Sequence, residues 1–336
     1  MRKVLTLTLS ILLLLSLSLG TLSMTSCTAT AYDGSYFAMN TVMQLTVYGN
    51  RKVLAECGKL LSSLDLKLSA THPAGPVYAL NERGTPVTDP TVLEVAREAL
   101  RISALSDGAF DVTIYPVVSL WGFPSSDYHV PTQEELDQAL SKVGYQHLLL
   151  TEDGLSLPEG CQIDLGAIGK GFAGDLLRQY LKDKGVKNAL LNLGGNVVAM
   201  GSKPDGKPFR IAIKDPVGEG YVCVLSISDT NVVTSGLYER YFERDGVRYG
   251  HIIDPSTGRP VDNEWLSVTV VGESGIDCDA WSTALFVMGV DKACAKVREL
   301  GLEVVMVTGD TLYVSESLQS KIQYHGAYSS YRVVTL

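Results

Sequence analysis

The chain has 336 residues, of which 46% are hydrophobic, enough for one large domain or two closely packed ones. It carries 37 acidic and 28 basic side chains, a formal net charge of −9, and no run of lysine or arginine. Non-specific nucleic-acid binding depends on clustered cations that neutralise phosphates, so no nucleic-acid partner is expected. An acidic protein that binds a phosphorylated ligand is expected to need a metal ion.

The first 26 residues are expected to form a signal peptide of the lipoprotein type. Arg2 and Lys3 precede an uncharged, leucine-rich stretch at 4–24, and small residues then lead to Cys27. Cys27 would become the lipidated first residue of the mature chain and would tether a soluble domain to the outer surface of a membrane. The alternative is a signal anchor, since about 20 apolar residues can span a bilayer.

Residues 27–34 are expected to be a short tether, and residues 35–336 a single α+β domain of mostly antiparallel sheets with flanking helices. In the first half of the chain the patterns predict a strand at 40–49, a helix at 51–69, a loop at 71–84, and helices at 89–108 and 131–144. A hairpin from 147, a helix from 170 and a strand pair at 188–201 are expected to follow. The last part is predicted to contain strands at 209–214, 221–228, 231–235 and 248–253, helices from 279 and 290, and a closing hairpin at 303–315. The succession contains no βαβ repeat of the doubly wound kind.

The segment 164–175, DLGAIGKGFAGD, contains three glycines at the spacing of a dinucleotide-binding turn and a Gly-Lys pair like that of a P-loop. A P-loop is excluded, because Gly171 stands where the motif needs a hydroxyl residue after Lys170. A nicotinamide site is disfavoured, because the acidic residue expected near position 194 is absent.

Asp164 and Lys170 are expected to flank a tight turn at a helix N-terminus, where backbone polar groups are free. A carboxylate there could bind a ribose, a ring N–H or a cation, while Lys170 faces a phosphate. The alternative is that Asp164 supplies a negative charge at the start of the helix and the glycines allow close packing.

Asp279 and Thr283 are four residues apart on a predicted helix, so their side chains share one face. A carboxylate and a hydroxyl together suit a hard cation such as Mg²⁺, which prefers oxygen ligands. The alternative is a capping aspartate and a threonine bonded to its own backbone.

His251 is expected at the end of a strand, just before a turn at 254–258. It could act as a general base if it reaches a substrate hydroxyl, or it could be a satisfied core residue. No Ser/His/Asp or Cys/His motif surrounds it, so hydrolysis through a protein nucleophile has little support.

These segments together resemble the ApbE-type FAD:protein FMN transferases, from about Phe37 to Val314. The matching segments come in the family's order: AMNTVM, YALN, GAFDVTIYPVVSLWGF, IDLGAIGKGFAGD, LLNLGGNVVAMG, SGLYERYFERDGVRYGHIIDPSTGRPV and DAWSTALFVMG. The resemblance implies an enzyme that cleaves FAD with the help of Mg²⁺. It would transfer FMN to a Ser or Thr hydroxyl of a partner flavoprotein and release AMP.

The resemblance also implies the site residues. The magnesium ligands would be the backbone carbonyl of Ala167 and the side chains of Asp279 and Thr283, with Asp279 also counted as catalytic. His251 is the candidate base for the acceptor hydroxyl. The implied contacts to FAD are Met39, Tyr78, Gly108, Ala109, Phe110, Asp164, Lys170 and Ile253.

Two residues depart from the family pattern. Asn40 stands where glycine is usual and could alter the adenine end, and Trp281 stands where a smaller aliphatic residue is common and could reshape the entrance. Neither change removes an implied ligand.

Two other functions stay open at this point. A Mg²⁺-dependent FAD pyrophosphatase would use the same site with water in place of the protein hydroxyl, and a flavin-binding lipoprotein would store FAD without chemistry. For the transferase, the resemblance suggests an acceptor in a membrane redox complex or a secreted flavin-carrying reductase.

Overall fold

A nine-stranded sheet organises the fold. The computed structural model describes residues 29–238, 240–325 and 331–336, so the expected signal peptide and Cys27 lie outside the described residues. A separate sheet has three strands, and every strand pairing in the two sheets is antiparallel except one. The α+β prediction is confirmed.

The strand bounds are β1 Ala31–Ala38, β2 Thr41–Tyr48, β3 Leu149–Leu150, β4 Leu155–Ser156, β5 Ala189–Leu193, β6 Asn196–Met200, β7 Phe209–Lys214, β8 Tyr221–Ile227, β9 Thr230–Gly236, β10 Tyr241–Arg244, β11 Val247–Gly250, β12 Ile253–Asp254, β13 Arg259–Pro260, β14 Ser267–Gly272, β15 Glu303–Val307, β16 Thr311–Val314, β17 Ile322–Tyr324 and β18 Arg332–Thr335. The helix bounds are α1 Val53–Leu68, α2 Pro76–Arg83, α3 Pro90–Leu105, α4 Tyr115–Leu120, α5 Gln133–Leu140, α6 Gly166–Asp183 and α7 Gly275–Leu300. The strands of the large sheet run in the order β1-β2-β5-β6-β9-β14-β15-β16-β18, and those of the three-stranded sheet in the order β17-β8-β7. The parallel pair is β16 with β18.

The large sheet is buried on both faces at its centre. Along β14, Val270 belongs to the core beneath the helices, whereas its neighbour Val271 belongs to the core shared with the three-stranded sheet. Val304 and Val305 of β15 divide in the same way, because successive side chains of a strand point to opposite faces. Helices therefore cover one face and the small sheet the other.

A third, smaller core forms around Trp121. It includes Phe123, Phe242 and Ile253, and so joins α4 and α5 to the short hairpins β10–β11 and β12–β13. The indole Nε1 of Trp121 donates to the carbonyl of Gly258 at 2.8 Å and holds the turn that follows β12. This core fixes the segment that carries His251.

Several helix starts follow the sequence. Asp89 accepts from the backbone N–H groups of Thr91 and Val92 at the start of α3, with Pro90 as the first helical residue. Thr132 and Glu135 form a capping box at α5, and the bonds from Thr132 lower the pKa of Glu135 to about 2.

Other boundaries were predicted wrongly. The stretch 71–84 contains α2 rather than a loop only, because Pro76 begins a helix and Gly84 ends it with a left-handed φ of 62°. The last four residues of the expected tether belong to β1, because the pairing of β1 with β2 begins at Ala31, which lies opposite Tyr48. Strands β17 and β18 follow the hairpin expected to close the chain. The two helices expected from 279 and 290 are both present within α7, which begins four residues earlier than expected, and they meet at Gly289, whose φ of 73° and ψ of 176° are not helical.

The five cysteines within the described ranges are buried and free of disulfides: Cys57, Cys161, Cys223, Cys278 and Cys294. Within the same ranges, no helix has the length and apolar character needed to cross a membrane.

Candidate active site

Helices α6 and α7 cross with their backbones in contact at two glycines. A methyl group on Gly171 would collide with the carbonyl oxygen of Gly275 and lie 2.7 Å from Cβ of Asp279. A methyl group on Gly275 would lie 2.7 Å from the carbonyl oxygen of Gly171. Only residues without a side chain allow this approach, which places Asp279 of α7 directly against the first turns of α6.

The three glycines of the 164–175 motif lie inside α6, so the predicted turn at this position is wrong. Gly171 faces α7, and a methyl group on Gly174 would come within 2.8 Å of the Val198 side chain in β6. Gly171 and Gly174 therefore allow close packing, as the alternative expected of the glycines. Asp164 precedes the helix, and its Oδ1 accepts the N–H of Gly166 at 2.8 Å.

Asp279 is buried and is held by groups of α6. Its Oδ2 accepts the backbone N–H of Gly171 at 2.8 Å, and its Oδ1 lies 3.9 Å from Nζ of Lys170. In a regular helix the N–H of Gly171 would serve the carbonyl of Ala167. The bond to Asp279 competes for that donor, so the Ala167 oxygen keeps capacity for another partner beside the carboxylate.

The two crossing helices carry three kinds of oxygen near this point in their sequences: the Asp279 carboxylate, the Thr283 hydroxyl one turn further along α7, and the Ala167 carbonyl one turn before Gly171 on α6. Thr283 Oγ1 lies 3.4 Å from Oγ of Ser235 on β9, which is also 2.8 Å from Oγ of Ser282. No group of three His, Cys, Asp or Glu suited to a metal occurs in the described parts of the chain. An all-oxygen set with a single carboxylate fits Mg²⁺, which keeps several coordination positions for water and phosphate oxygens.

Two cationic side chains lie near Asp164 and His251. Lys170 and Arg240 both act electrostatically on Asp164 and on His251. Arg240 is exposed, and its Nη2 donates to the carbonyl of Phe123 at 3.0 Å. Burial raises the pKa of Asp164, and the Gly166 N–H and the two cations oppose that rise.

His251 lies half-buried behind these cations. Its Nδ1 is 3.0 Å from the carbonyl oxygen of Arg240, which can only accept, so Nδ1 carries the proton and Nε2 is a free acceptor. Burial, together with the charges of Arg240 and Lys170, lowers the pKa of His251 to about 4. The imidazole is therefore neutral near pH 7 and able to receive a proton.

The comparisons with known proteins agree with this geometry. Residues 39–306 match the model of the ApbE family.

The chain belongs to the ApbE family.

Its relatives include the FAD:protein FMN transferase of Escherichia coli K12, which is 36% identical over 248 residues and 70% of each chain. The FAD:protein FMN transferase of Vibrio cholerae is 34% identical over 283 residues, 82% of this chain and 84% of its own. The solved ApbE protein of Thermotoga maritima superimposes with a TM-score of 0.82 at 34% identity, covering 87% of this chain and 99% of its own. The flavin transferase ApbE of Vibrio cholerae gives 0.80 at 32% identity, with the same coverage.

The fold of this ApbE-family chain brings several of the predicted FAD contacts to one place. Asn81 of α2 exchanges two 2.8 Å hydrogen bonds with the backbone of Ile163, which ties the helix of Tyr78 to the residue before Asp164. The N–H of Asp164 donates to the carbonyl of Val112 at 2.7 Å, so the Gly108–Ala109–Phe110 segment lies alongside.

Two of the predicted FAD contacts have their side chains in hydrophobic cores. Phe110 belongs to the main core and Ile253 to the core around Trp121, so their side chains do not face a ligand and any contact would come from their backbone. Trp281 is also buried in the main core, so it does not reshape the entrance.

Met39 and Asn40 form the two-residue turn between β1 and β2, with φ values of 50° and 57°. Two successive left-handed residues define a type I′ turn, in which glycine and asparagine are the favoured residues. Asn40 in place of the family's usual glycine therefore preserves the turn and the position of Met39.

Sequence reasoning missed Arg240 and Ser235. Both lie in the segment that begins SGLYER, which carried the family resemblance, but neither has a local motif that marks it. Only the folded chain places Arg240 beside His251 and Ser235 beside Thr283.

Proposed function

We propose that this chain is an FAD:protein FMN transferase that uses Mg²⁺. Curated relatives of that name are 32–36% identical to it over most of its length. The observation that carries the proposal is the buried Asp279 carboxylate, which accepts the Gly171 N–H where α6 and α7 cross and lies near Lys170.

In this proposal the Asp279 carboxylate, the Thr283 hydroxyl and the Ala167 carbonyl would hold Mg²⁺. When bound, the ion would supply positive charge to the pyrophosphate oxygens of FAD as negative charge develops on them. Lys170 and Arg240 add further positive charge on the same side. They also favour binding of an anionic substrate by a chain whose net charge is −9.

The reaction transfers the FMN phosphoryl group. The oxygen of an acceptor Ser or Thr hydroxyl forms a bond to the phosphorus of the FMN half, and the bond from that phosphorus to the bridging oxygen breaks. AMP leaves with the bridging oxygen. His251 Nε2 receives the proton of the hydroxyl, for which its neutral state and its bond to the Arg240 carbonyl prepare it.

The location is part of the same proposal. A lipid on Cys27 would anchor the mature chain to the extracytoplasmic face of a membrane. There it would meet an acceptor flavoprotein, either a subunit of a membrane redox complex or a secreted reductase, whose Ser or Thr receives the flavin.

The test uses protein that begins at Thr28, incubated with FAD and Mg²⁺, with and without a membrane redox-complex subunit purified free of covalent flavin. AMP release and in-gel flavin fluorescence of the denatured acceptor are measured. Asp279→Asn should abolish both signals. Asp277→Asn is the matched control, because Asp277 lies on the same helix but pairs with Arg101.

Each outcome separates one function from the others. Fluorescent acceptor that depends on Mg²⁺ and on Asp279 supports the transferase. Release of AMP and free FMN without labelling of the acceptor would show a pyrophosphatase instead of a transferase. FAD binding without any release of AMP would refute an enzymatic function and support a flavin carrier.

A further inference from the structure

Asp175 is a carboxylate of α6 that the proposed reaction does not use. Its Oδ1 accepts the backbone N–H of Gly275 at 2.8 Å, and its Oδ2 accepts that of Ile276 at 2.9 Å. Both donors lie in the first turn of α7, where backbone N–H groups lack partners within their own helix. A carboxylate of one helix therefore holds the positive end of the other.

The link from Asp175 to α7 has a counterpart in the opposite direction. Asp279 of α7 accepts the N–H of Gly171 on α6. Gly171 and Asp175 are four residues apart on α6, and Gly275 and Asp279 are four residues apart on α7. The two links are therefore one helical turn apart on both helices, on either side of the glycine contact.

We propose that Asp175 is a positioning residue that fixes α7 against α6 and thereby aligns the oxygens that bind the metal. The inference rests on the proposed function, in which the Ala167 carbonyl comes from α6 and the side chains of Asp279 and Thr283 come from α7. A single link would allow α7 to rotate or slide about the Gly171–Gly275 contact. Two links one turn apart fix both its rotation and its axial position.

A simple capping role does not explain Asp175. Helix α7 already has its own N-cap, since Oγ of Ser274 accepts the N–H of Asp277 at 3.2 Å. Arg178, one turn further along α6, donates to the carbonyl of Glu273 at 3.1 Å and so holds the same end of α7. These contacts keep α7 helical without Asp175. Within the described residues, Asp175 is the side chain of α6 that accepts backbone N–H groups from the first turn of α7.

The experiment measures Mn²⁺ binding by electron paramagnetic resonance on the protein from Thr28, as a direct readout of the metal site that needs no turnover. Asp175→Ala should raise the dissociation constant for Mn²⁺ by about tenfold or more, as loss of residues that orient metal ligands usually does. Asp175→Asn, which keeps one carbonyl acceptor, should fall between wild type and Asp175→Ala. FAD affinity without metal should stay at the wild-type value.

Two control variants separate positioning from loss of charge and from loss of stability. Asp183→Asn removes the same charge from α6. Among the described residues, Asp183 accepts a hydrogen bond only from Gln179 of its own helix, so Mn²⁺ affinity should not change. Val297→Ala weakens the packing of α7 beyond its kink, so stability should fall while Mn²⁺ affinity stays.

Wild-type Mn²⁺ affinity in Asp175→Ala would overturn the proposal, as would an equal loss of affinity in Val297→Ala. Absence of Mn²⁺ binding by wild type would overturn it too. If Asp175→Ala does not fold, Asp175→Asn decides on the same criteria. If the wild-type protein binds Mn²⁺ and FAD but transfers no flavin, the proposed function is refuted. The role of Asp175 is then decided by the Mn²⁺ affinities of the variants alone.

Discussion

Replacing Gly171 with alanine tests the glycine crossing that places Asp279. The new methyl group would collide with the Gly275 carbonyl oxygen and lie 2.7 Å from Cβ of Asp279. Neither atom can turn away by a change of side-chain rotamer, so α6 and α7 must separate. Separation also stretches the 2.8 Å bond from the Gly171 N–H to the Asp279 carboxylate.

The size of the effect follows from three contributions. Overpacking of this kind costs about 1–3 kcal/mol. Loss of a hydrogen bond to a charged group costs about 1.5–3 kcal/mol. Alanine is a better helix former than glycine by about 1 kcal/mol, which partly offsets these losses. The expected net loss in the free energy of unfolding for Gly171→Ala is therefore roughly 3 kcal/mol.

Gly169→Ala is the matched control, because Gly169 lies in the same helix and the same motif. Its methyl group would meet only Cδ1 of Leu68, at 3.3 Å, and that flexible side chain can move. The control should be neutral or more stable by up to about 1 kcal/mol.

The assay is urea unfolding of both variants, combined with the Mg²⁺ concentration needed for half-maximal AMP release. Gly171→Ala should unfold at lower urea and need more Mg²⁺, whereas Gly169→Ala should match wild type in both. Equal behaviour of the two variants would refute the packing role of Gly171.

Three further predictions concern the neighbouring segments. Asn40→Ala should lose about 1 kcal/mol because of its left-handed φ of 57°, and Asn40→Gly should stay near wild type in urea unfolding. The pKa of His251 is lower in the folded than in the unfolded chain, so its neutral form is favoured and stability should fall as the pH drops from 6.5 towards about 4. His251→Gln should remove this pH dependence of stability and should also remove the fall of kcat/KM at acidic pH. An unchanged profile of kcat/KM against pH would assign that fall to another group. Trp121→Phe leaves the carbonyl of Gly258 without its donor and should cost roughly 2 kcal/mol, and a change below the error of the denaturation curves would contradict that role.

The sequence was informative wherever a property depends on near neighbours. Asp89 with Pro90 predicted the start of α3, because capping involves residues within one turn. The four-residue spacing of Asp279 and Thr283 predicted a shared face, and both lie on α7 as expected. The order of seven short segments also predicted the family, to which residues 39–306 belong.

The tertiary structure alone decided the role of the glycines and the partners of the charged side chains. The glycine spacing between Asp164 and Asp175 is compatible with either a phosphate-binding turn or a close helix crossing, so the sequence alone could not distinguish the two. The backbone N–H of Gly171 donates to Asp279, which lies 108 positions later in the chain, and Arg240 acts on Asp164, whose position precedes it by 240 − 164 = 76 residues. Such contacts depend on which helices and strands pack together, and this cannot be deduced from the local periodicity of the sequence. The sequence therefore determined the family and the reactive residue types, whereas the crossing of α6 and α7 determined how those residues meet.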